Sequence, residues 1–413
     1  MRNPVYSNSE TVRYLLIIER SSNLLESLFM KIVQTCTYDV TMRHFSLYFI
    51  KYMTKNEIQR IIIDKIKNAL FRGIVLASVR SGKCRMLLLA IKELSDNDLN
   101  VNILICYPNV DIKNSFIDEC KKLDYYPNIH YSTFKSLYKV QDNKYDFIIF
   151  DEAHLIPPDN ILPIVSKIVK NNDKVILASG TYSEETLLNL KFSTGLQQIV
   201  DYSTDDAIND GIVNNFKVEV HLFKLDNTKS VQFGGLKKWY STDYKECLRM
   251  SKRLVESFGK DKMMIALFRM KMINSCQSLI RNVQKWIEDN PDKRFILFTG
   301  DEKVGKNYNI PMFNSKSKNN DVLKDFQEHR SNKLCLIKKG GTGVTYEGLD
   351  TILITDINSN SETLEQRCGR SLLFEEGKES IVYIFCSTEE FQMRWLESSL
   401  KSINPERINY NYI

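Results

Sequence analysis

The sequence has 413 residues, 43% of them hydrophobic, and this length and composition suit two domains that each bury a core. The net charge of +6 is mildly basic, which is compatible with a nucleic-acid partner without indicating one. Nine cysteines occur without a CxxC pair or a metal-ligand spacing, which argues against a disulfide framework and against a zinc site. No apolar run reaches the roughly 18 residues of a membrane span, and Met1–Glu10 is polar. We therefore expect an intracellular protein without a signal peptide or a membrane partner.

The first part of the chain, residues 1–42, contains no motif that carries chemistry. We expect a small N-terminal extension, helical or mixed. The sequence leaves open whether it packs against the rest of the protein or binds a protein or nucleic-acid partner.

A strand, a loop and a helix are predicted next to each other near residue 80. Gly73–Leu76 is apolar like a buried strand, and Met86–Ile91 continues as an apolar helix. Between them lies Ala77-Ser78-Val79-Arg80-Ser81-Gly82-Lys83-Cys84, which has the layout of a phosphate-binding loop. Backbone N–H groups from Ser78 to Cys84 would surround the phosphates of a nucleotide, and Lys83 would reach the β and γ oxygens.

Two positions of this loop depart from the usual pattern. Ala77 stands where a glycine is common, and alanine is acceptable there if the backbone needs no positive φ. Cys84 stands where a Ser or Thr hydroxyl would contact Mg²⁺. A thiol is a soft ligand for a hard cation, so water would take its place. We expect nucleotide binding to survive and hydrolysis to be slow.

A second strand, Phe147–Phe150, ends in the sequence Asp151-Glu152-Ala153-His154. Carboxylates just beyond the end of a parallel strand lie where open α/β sheets bind their ligands. Asp151 would hold Mg²⁺ through water, and Glu152 would orient or deprotonate an attacking water. On its own an Asp-Glu pair is more often a strand that ends in a polar loop, but the phosphate loop upstream favours the catalytic interpretation.

The remaining chain alternates between strand and helix patterns. Further strands are predicted at Val101–Tyr107, Lys174–Leu177, Lys217–Lys224, Arg294–Thr299, Lys333–Lys338, Thr351–Asp356 and Ile381–Cys386. Amphipathic helices are predicted at Tyr240–Phe258, Lys271–Glu288 and Asp321–His329, and an exposed loop at Asp226–Trp239. In the helix at 240–258, residues such as Cys247 and Phe258 are predicted to face the core. This alternation indicates an α/β chain with parallel sheets.

The order of these motifs resembles that of a superfamily 2 helicase or translocase of the DEAD/DEAH type. The phosphate loop and Asp-Glu-Ala-His are followed by Gln366-Arg367-Cys368-Gly369-Arg370, which is similar to the Gln-Arg-x-Gly-Arg element of that family. The glycine-rich run Lys338–Val344 resembles the variant found in chromatin remodellers and in phage, large-virus and restriction-type helicases. The resemblance implies two tandem RecA-like domains, each a mainly parallel sheet flanked by helices. The first would span residues 43–211, and a linker with the second domain would span residues 212–413.

The resemblance also implies roles for individual residues. Gln59 would read the adenine of ATP, because a side-chain amide both donates and accepts hydrogen bonds. Contacts with the nucleic-acid backbone would come from Pro108, Ser132, Thr133, Gly341 and Thr342, and a nucleotide contact from Gly343. Ser179 and Thr181 would couple hydrolysis to movement by binding the Asp-Glu-Ala-His loop, His154 included.

Arg370 is the predicted arginine finger, with Arg367 and Gln366 in support. A guanidinium that reaches the phosphates from the second domain stabilises the charge that develops in phosphoryl transfer. The family commonly has a further arginine three residues beyond the finger, and here that position is Leu373.

The resemblance therefore implies an ATP- and Mg²⁺-dependent motor that moves along or unwinds DNA or RNA, most plausibly on a single strand. Cys84 and Leu373 keep a second possibility open, a degenerate clamp or scaffold that binds nucleotide and nucleic acid with little hydrolysis. A restriction-nuclease motor is disfavoured because no Asp…Glu-x-Lys cluster is evident. The many Asn, Lys, Ile and Tyr residues suggest an AT-rich genome, which is compatible with a virus, a phage or a plasmid.

Overall fold

Two parallel β-sheets organise the described part of the chain. The structure is a computed structural model and describes residues 54–413 apart from 109, 141–144, 235–237, 315–320, 338–345 and 359–360. The predicted N-terminal extension and the glycine-rich run with Gly341, Thr342 and Gly343 lie outside the described residues.

The first sheet has six parallel strands in the order β3-β2-β4-β5-β1-β6 among the residues described. Its strands are β1 (Gly73–Ala77), β2 (Asn102–Tyr107), β3 (Asn128–Thr133), β4 (Phe147–Asp151), β5 (Val175–Ser179) and β6 (Gln198–Tyr202). Its helices are α1 (Lys55–Asn68), α2 (Lys83–Leu94), α3 (Val110–Leu123), α4 (Leu162–Asn171) and α5 (Glu184–Thr194). Short 3₁₀ turns cover Phe134–Lys139 and Ala153–Leu155, and the short helix α6 (Thr204–Asn209) leads out of this sheet.

The second sheet has seven parallel strands in the described ranges, in the order β11-β12-β10-β13-β14-β7-β15. Its strands are β7 (Phe216–Phe223), β10 (Phe295–Thr299), β11 (Met312–Asn314), β12 (Lys333–Ile337), β13 (Thr351–Ile354), β14 (Ser380–Ser387) and β15 (Ile408–Tyr412). The accompanying helices are α7 (Asp243–Glu256), α8 (Gly259–Ile273), α9 (Gln277–Asp289), α10 (Glu302–Lys306), α11 (Asp321–Gln327), α12 (Ser361–Cys368) and α13 (Glu390–Leu400), with a 3₁₀ turn at Pro405–Arg407.

Each sheet is built from short, almost wholly apolar strands, and this explains why the strands form where they do. All five residues of β4 and of β10 are buried, as expected for parallel strands that are covered on both faces. Separate clusters of buried apolar side chains accompany the two sheets. The predicted fold class, two mainly parallel sheets flanked by helices, is confirmed.

The strand order of the first sheet places the predicted site residues at one edge. Strand β5 lies between β4 and β1. In its register, Ala178 pairs with Asp151 and Ser179 pairs with Leu76. The carboxyl ends of these three strands therefore meet, and the phosphate loop, the Asp-Glu-Ala-His loop and the segment after β5 emerge side by side.

The region between β7 and β10 differs from the prediction. Residues 226–239 are not wholly a loop, because β8 (Val231–Phe233) pairs with β9 (Trp239–Ser241) in an antiparallel hairpin. The helix predicted at 271–288 is two helices, because α8 ends at Ile273 and α9 begins at Gln277. Cys247 is buried as predicted, but Phe258 is 84% exposed at the turn between α7 and α8.

No helix in the described ranges combines the length and the apolar character needed to cross a bilayer.

Candidate active site

The phosphate loop joins the end of β1 to the first residue of α2. Gly82 caps this helix with a left-handed backbone, φ +94°. A Cβ atom on Gly82 would lie 2.3 Å from Nε2 of Gln59, so glycine suits the positive φ and leaves room for the amide of Gln59. The geometry leaves the N-terminus of α2 facing the loop, where backbone N–H groups favour an anion.

Helix α1 supports the loop from one side. It begins with a capping box between Thr54 and Glu57, which fixes the position of its first turn. From that turn Lys55 donates its Nζ to the carbonyl oxygen of Arg80 at 2.8 Å. One helical turn later, Gln59 donates its Nε2 to the carbonyl oxygen of Ser81 at 2.7 Å.

Gln59 is only 5% exposed, and its amide nitrogen is committed to the loop. The structure therefore gives this residue a role that the sequence did not indicate, namely holding the phosphate loop in shape. Its predicted role in reading adenine stays a prediction.

Lys83 lies between the two carboxylates that the sequence singled out. Its Nζ is 2.7 Å from Oδ1 of Asp151 and 2.9 Å from Oε1 of Glu152. Asp151 is 2% exposed, and the backbone of Glu152 is left-handed with φ 52°. A non-glycine residue held in this conformation is strained, and such strain is common at functional sites.

The electrostatics of this cluster keep Lys83 and Glu152 charged. Burial works to lower the pKa of Lys83, but Asp151 and then Glu152 outweigh it and raise that pKa. Burial works to raise the pKa of Glu152, but Lys83 and then His154 outweigh it and lower that pKa. Burial dominates at Asp151, whose pKa is raised despite Lys83. An ionised Glu152 is suited to accept a hydrogen bond or a proton from water.

The donor set fits Mg²⁺, which binds one or two carboxylates together with phosphates and water. Asp151 supplies a carboxylate at the carboxyl end of β4, and Glu152 follows it as the candidate base. Cys84 lines the same cavity, but burial and then the charge of Asp151 raise the pKa of its thiol well above the ordinary value. The thiol is neutral at physiological pH and is a poor ligand for a hard cation.

His154 links both sheets through a chain of hydrogen bonds. Its Nδ1 is 2.7 Å from Oγ of Ser179, which donates to the carbonyl oxygen of Thr181 at 2.6 Å. Its Nε2 is 2.8 Å from Nε2 of Gln366 on helix α12. Because the amide of Gln366 donates, Nε2 of His154 accepts and Nδ1 carries the proton toward Ser179.

Thr181 takes part in this chain only through its backbone. Its N–H donates to Oγ of Ser179 at 3.2 Å, whereas its buried Oγ1 makes no hydrogen bond with a described residue. The expected contact between the Thr181 hydroxyl and the Asp-Glu-Ala-His loop is therefore not made in this structure. The hydroxyl of Ser179, rather than that of Thr181, contacts His154.

A cavity of about 510 Å³ contains this cluster and is lined from both sheets. Lys83, Asp151 and Glu152 line it on the first side, and Arg370 and Leu373 on the other. Its size is within the range of small-molecule sites, about 300–1,000 Å³. The structure thus brings the predicted arginine finger to the same cavity as the phosphate loop.

Arg367, in contrast, does not line this cavity. Its two terminal nitrogens each lie 2.9 Å from an oxygen of Asp356, in a bidentate pair within the second sheet. The guanidinium also lies over the ring of Phe298, at 5.2 Å. These contacts commit Arg367 to fixing the end of α12, so its expected support of catalysis would act through the position of Arg370.

One contact across the cavity has no signal in the sequence. Val79 of the phosphate loop packs between Gly180 and Gly369, and Cβ atoms at these glycines would lie 3.1 and 2.8 Å from its Cγ2 and Cγ1 atoms. The turn that carries Arg370 approaches the loop this closely because Gly369 has no side chain. A single sequence does not reveal this contact, because it joins residues from two different domains.

The described residues that were predicted to contact nucleic acid differ in how far they are exposed. Thr133 pairs with Tyr107 at the ends of β3 and β2, so it lies beside Pro108 at the same edge of the sheet. Ser132 is 6% exposed and donates to the carbonyl oxygen of Thr133. Its hydroxyl therefore faces the interior, and a phosphate contact by Ser132 would require the end of β3 to move.

Comparison with known proteins agrees with this geometry. Residues 278–375 match the model of the helicase conserved C-terminal domain, a span that includes Gln366, Arg370 and Leu373. No curated protein sequence matches the chain.

Several solved structures share the fold at low sequence identity. A Dbp5 variant from S. cerevisiae bound to RNA and ADP BeF3 has a TM-score of 0.55 at 11% identity, with 85% of this chain and 89% of that chain covered. Mss116p, with its NTE and C-tail deleted and bound to ssRNA and AMP-PNP, has a TM-score of 0.50 at 16% identity, with 82% and 70% covered. The ATP-dependent Type ISP restriction-modification enzyme LlaBIII bound to DNA has a TM-score of 0.54 at 13% identity, with 86% of this chain but only 31% of that chain covered. The chain therefore has the tandem RecA-like fold of these solved structures, and its residues 278–375 match the helicase conserved C-terminal domain.

Proposed function

We propose that this protein is an ATP-dependent helicase or translocase that binds ATP and Mg²⁺ in the cavity between its two sheets. One observation carries the proposal. A lysine at a helix N-terminus, two carboxylates and an arginine from the opposite sheet converge on a cavity large enough for a nucleotide. These are the groups that phosphoryl transfer to water requires.

The residues divide the chemistry between them. Lys83 would leave the carboxylates and bind the phosphates, and its departure would free Glu152 to orient and deprotonate the attacking water. Asp151 would hold Mg²⁺ through water, where the ion neutralises charge on the phosphates. Arg370 would stabilise the charge that spreads over the transferred phosphoryl group.

Coupling to movement would use the contacts between the two sheets. Hydrolysis would change the groups that Glu152 and Arg370 contact. The hydrogen bonds from Ser179 through His154 to Gln366 would transmit this change to helix α12. Opening and closing of the cleft would then advance the protein along one strand of DNA or RNA. We further propose domain limits of 43–211 and 212–413, supported by the change of sheet between β6 and β7.

A second function, a nucleotide-dependent clamp with little hydrolysis, is favoured by two side chains in the cavity. Cys84 offers a neutral thiol where an oxygen ligand would assist Mg²⁺, and Leu373 offers no charge where the family commonly has an arginine. Such a protein would hold a strand while ATP remains bound.

Steady-state ATP hydrolysis separates the two functions. The purified protein would be assayed alone and with single-stranded DNA, duplex DNA or RNA, with Glu152→Gln as the matched inactive variant. A motor is expected to show stimulation by one polymer that disappears in Glu152→Gln. Measurable ATP binding without turnover in the presence of any polymer would favour the clamp.

Binding measurements test the phosphate loop itself. We expect Lys83→Ala to lose ATP affinity and Glu152→Gln to retain it, because Lys83 would contact the phosphates directly whereas Glu152 would contact the attacking water. Equal ATP affinity in Lys83→Ala and the unaltered protein would refute the assignment of this loop.

A further inference from the structure

Arg80 has an unusual backbone in the phosphate loop. Its φ is +73°, in the left-handed region, which a residue with a side chain adopts less readily than the right-handed one. Glycine would adopt the same conformation without this cost. Strain of this kind persists where the surrounding structure enforces it, and such positions cluster at functional sites.

Both the backbone and the side chain of Arg80 are held in place. Its carbonyl oxygen accepts the hydrogen bond from Lys55 at 2.8 Å. Its Nε lies 3.5 Å from the carbonyl oxygen of Gly369, the residue before the predicted finger. The side chain therefore extends from the loop across the cavity, toward the turn that carries Arg370.

The two arginines bring like charges together in the cavity. Arg80 and Arg370 both line it. Burial, and then the charge of Arg370, lower the pKa of Arg80 to about 10, so its guanidinium remains protonated at neutral pH. Arg80 and Arg370 are both partly buried, so their like charges repel each other with less screening than in bulk water. A polyanion bound between them would offset that repulsion.

Leu373 lines the same cavity but brings no charge. We propose that Arg80 is a second arginine for the terminal phosphates of a nucleoside triphosphate, supplied by the phosphate loop in the absence of an arginine at Leu373. The planar guanidinium of Arg80 donates in a fork that matches phosphate oxygens. Arg80 from the first sheet and Arg370 from the second would both bind the γ-phosphate. This inference rests on the proposed nucleotide-binding function.

The test compares the affinity of the full chain for AMP-PNP with its affinity for ADP, so that it does not depend on turnover. Arg80→Gly removes the side chain and also relieves the backbone strain, so its melting temperature is expected to equal or exceed that of the unaltered protein. We expect it to lose about tenfold in the ratio of AMP-PNP to ADP affinity, as for the loss of one charge-assisted contact. Arg80→Lys keeps the positive charge but not the planar, forked guanidinium. It should retain part of the preference for AMP-PNP over ADP.

Lys83→Ala provides the reference for the proposed function. If the unaltered protein binds both nucleotides, Lys83→Ala binds neither and Arg80→Gly keeps the original ratio, the role of Arg80 is overturned while the nucleotide site stands. If the unaltered protein binds neither nucleotide, the proposed function fails and the role of Arg80 fails with it. A lower ratio in Arg80→Gly, without a lower melting temperature, supports the second arginine.

Discussion

At the scale of single residues, Cys84 is the side chain most at odds with the chemistry of the cavity. It is the second residue of α2, at the position where a hydroxyl would meet Mg²⁺. Its thiol is neutral, because burial and Asp151 raise its pKa well above the ordinary value. We predict that Cys84→Thr increases the rate of ATP hydrolysis several-fold at limiting Mg²⁺, because an oxygen ligand suits a hard cation. The measurement is the rate as a function of Mg²⁺ concentration.

Cys84→Ala is the matched control, since it removes the sulfur without adding an oxygen. The rate of ATP hydrolysis by Cys84→Ala should depend on Mg²⁺ concentration in the same way as that of the unaltered protein. If Cys84→Ala and Cys84→Thr changed the dependence equally, the thiol would be obstructing the site sterically, and the ligand argument would be wrong.

The residues at the centre of the cavity could be identified from sequence because their motifs are local. Lys83, Asp151 and Glu152 each follow directly from a strand and its loop, and the structure brings them within hydrogen-bonding distance. The bidentate pairing of Arg367 with Asp356 could not be anticipated, because an arginine in a motif gives no indication of which way its side chain turns. Arg80 shows the same limit, since its positive φ is a property of the folded loop.

At the scale of elements, the central strands of both sheets were predictable, whereas the edge strands β3, β6, β11 and β15 and the connection between β7 and β10 were not. A parallel strand is covered on both faces, so β4 and β10 appear in the sequence as uninterrupted apolar runs. The strands of the hairpin, β8 and β9, are partly exposed and only three residues long each, so no such run marks them. The break at residues 274–276 contains neither glycine nor proline, and amphipathic spacing continues across it.

The turn after α12 provides a test of how the elements meet across the cavity. Gly369 carries no positive φ, so Gly369→Ala acts through the contacts of the new Cβ, of which the tightest is with Cγ1 of Val79 at 2.8 Å. Overpacking of this size costs about 1–3 kcal/mol. We predict that Gly369→Ala lowers the affinity for AMP-PNP by roughly tenfold or more, because the turn with Arg370 can no longer close on the phosphate loop. Titration with a fluorescent nucleotide analogue would measure this loss.

The double variant Gly369→Ala with Val79→Ala is the internal control. Removing the two Cγ atoms of Val79 makes room for the new methyl group, so the pair should recover most of the affinity that Gly369→Ala loses. Two contacting residues are expected to be non-additive in this way. Simple additivity of the two changes would show that Gly369 acts through something other than its contact with Val79.

At the scale of the whole molecule, a small number of contacts join the two sheets. Besides Val79 with Gly369, Thr204 of α6 donates to Glu365 of α12 at 2.8 Å. The N–H of Asn214, in the connection between the sheets, donates to the carbonyl oxygen of Leu372. Helix α12 and the turn after it thus receive contacts from the connection, the phosphate loop and His154. A displacement at any of these contacts would act on a segment that lies within a few residues of Arg370.

The hydrogen bond between Gln366 and His154 is the contact that would carry this change, and it yields the last prediction. Gln366→Ala removes a 2.8 Å hydrogen bond between the sheets, worth on the order of 1 kcal/mol in the closed state. We expect stimulation of ATP hydrolysis by nucleic acid to fall several-fold, and more than hydrolysis without nucleic acid. The ratio of the two rates is the measurement.

Gln392→Ala is the control, because Gln392 is a more deeply buried glutamine that accepts its hydrogen bond from Ser387 within the second sheet. It should lower thermal stability and leave that ratio unchanged. A ratio preserved in Gln366→Ala would mean that the two sheets communicate without His154. The contacts of Val79 and Thr204 would then have to carry the coupling.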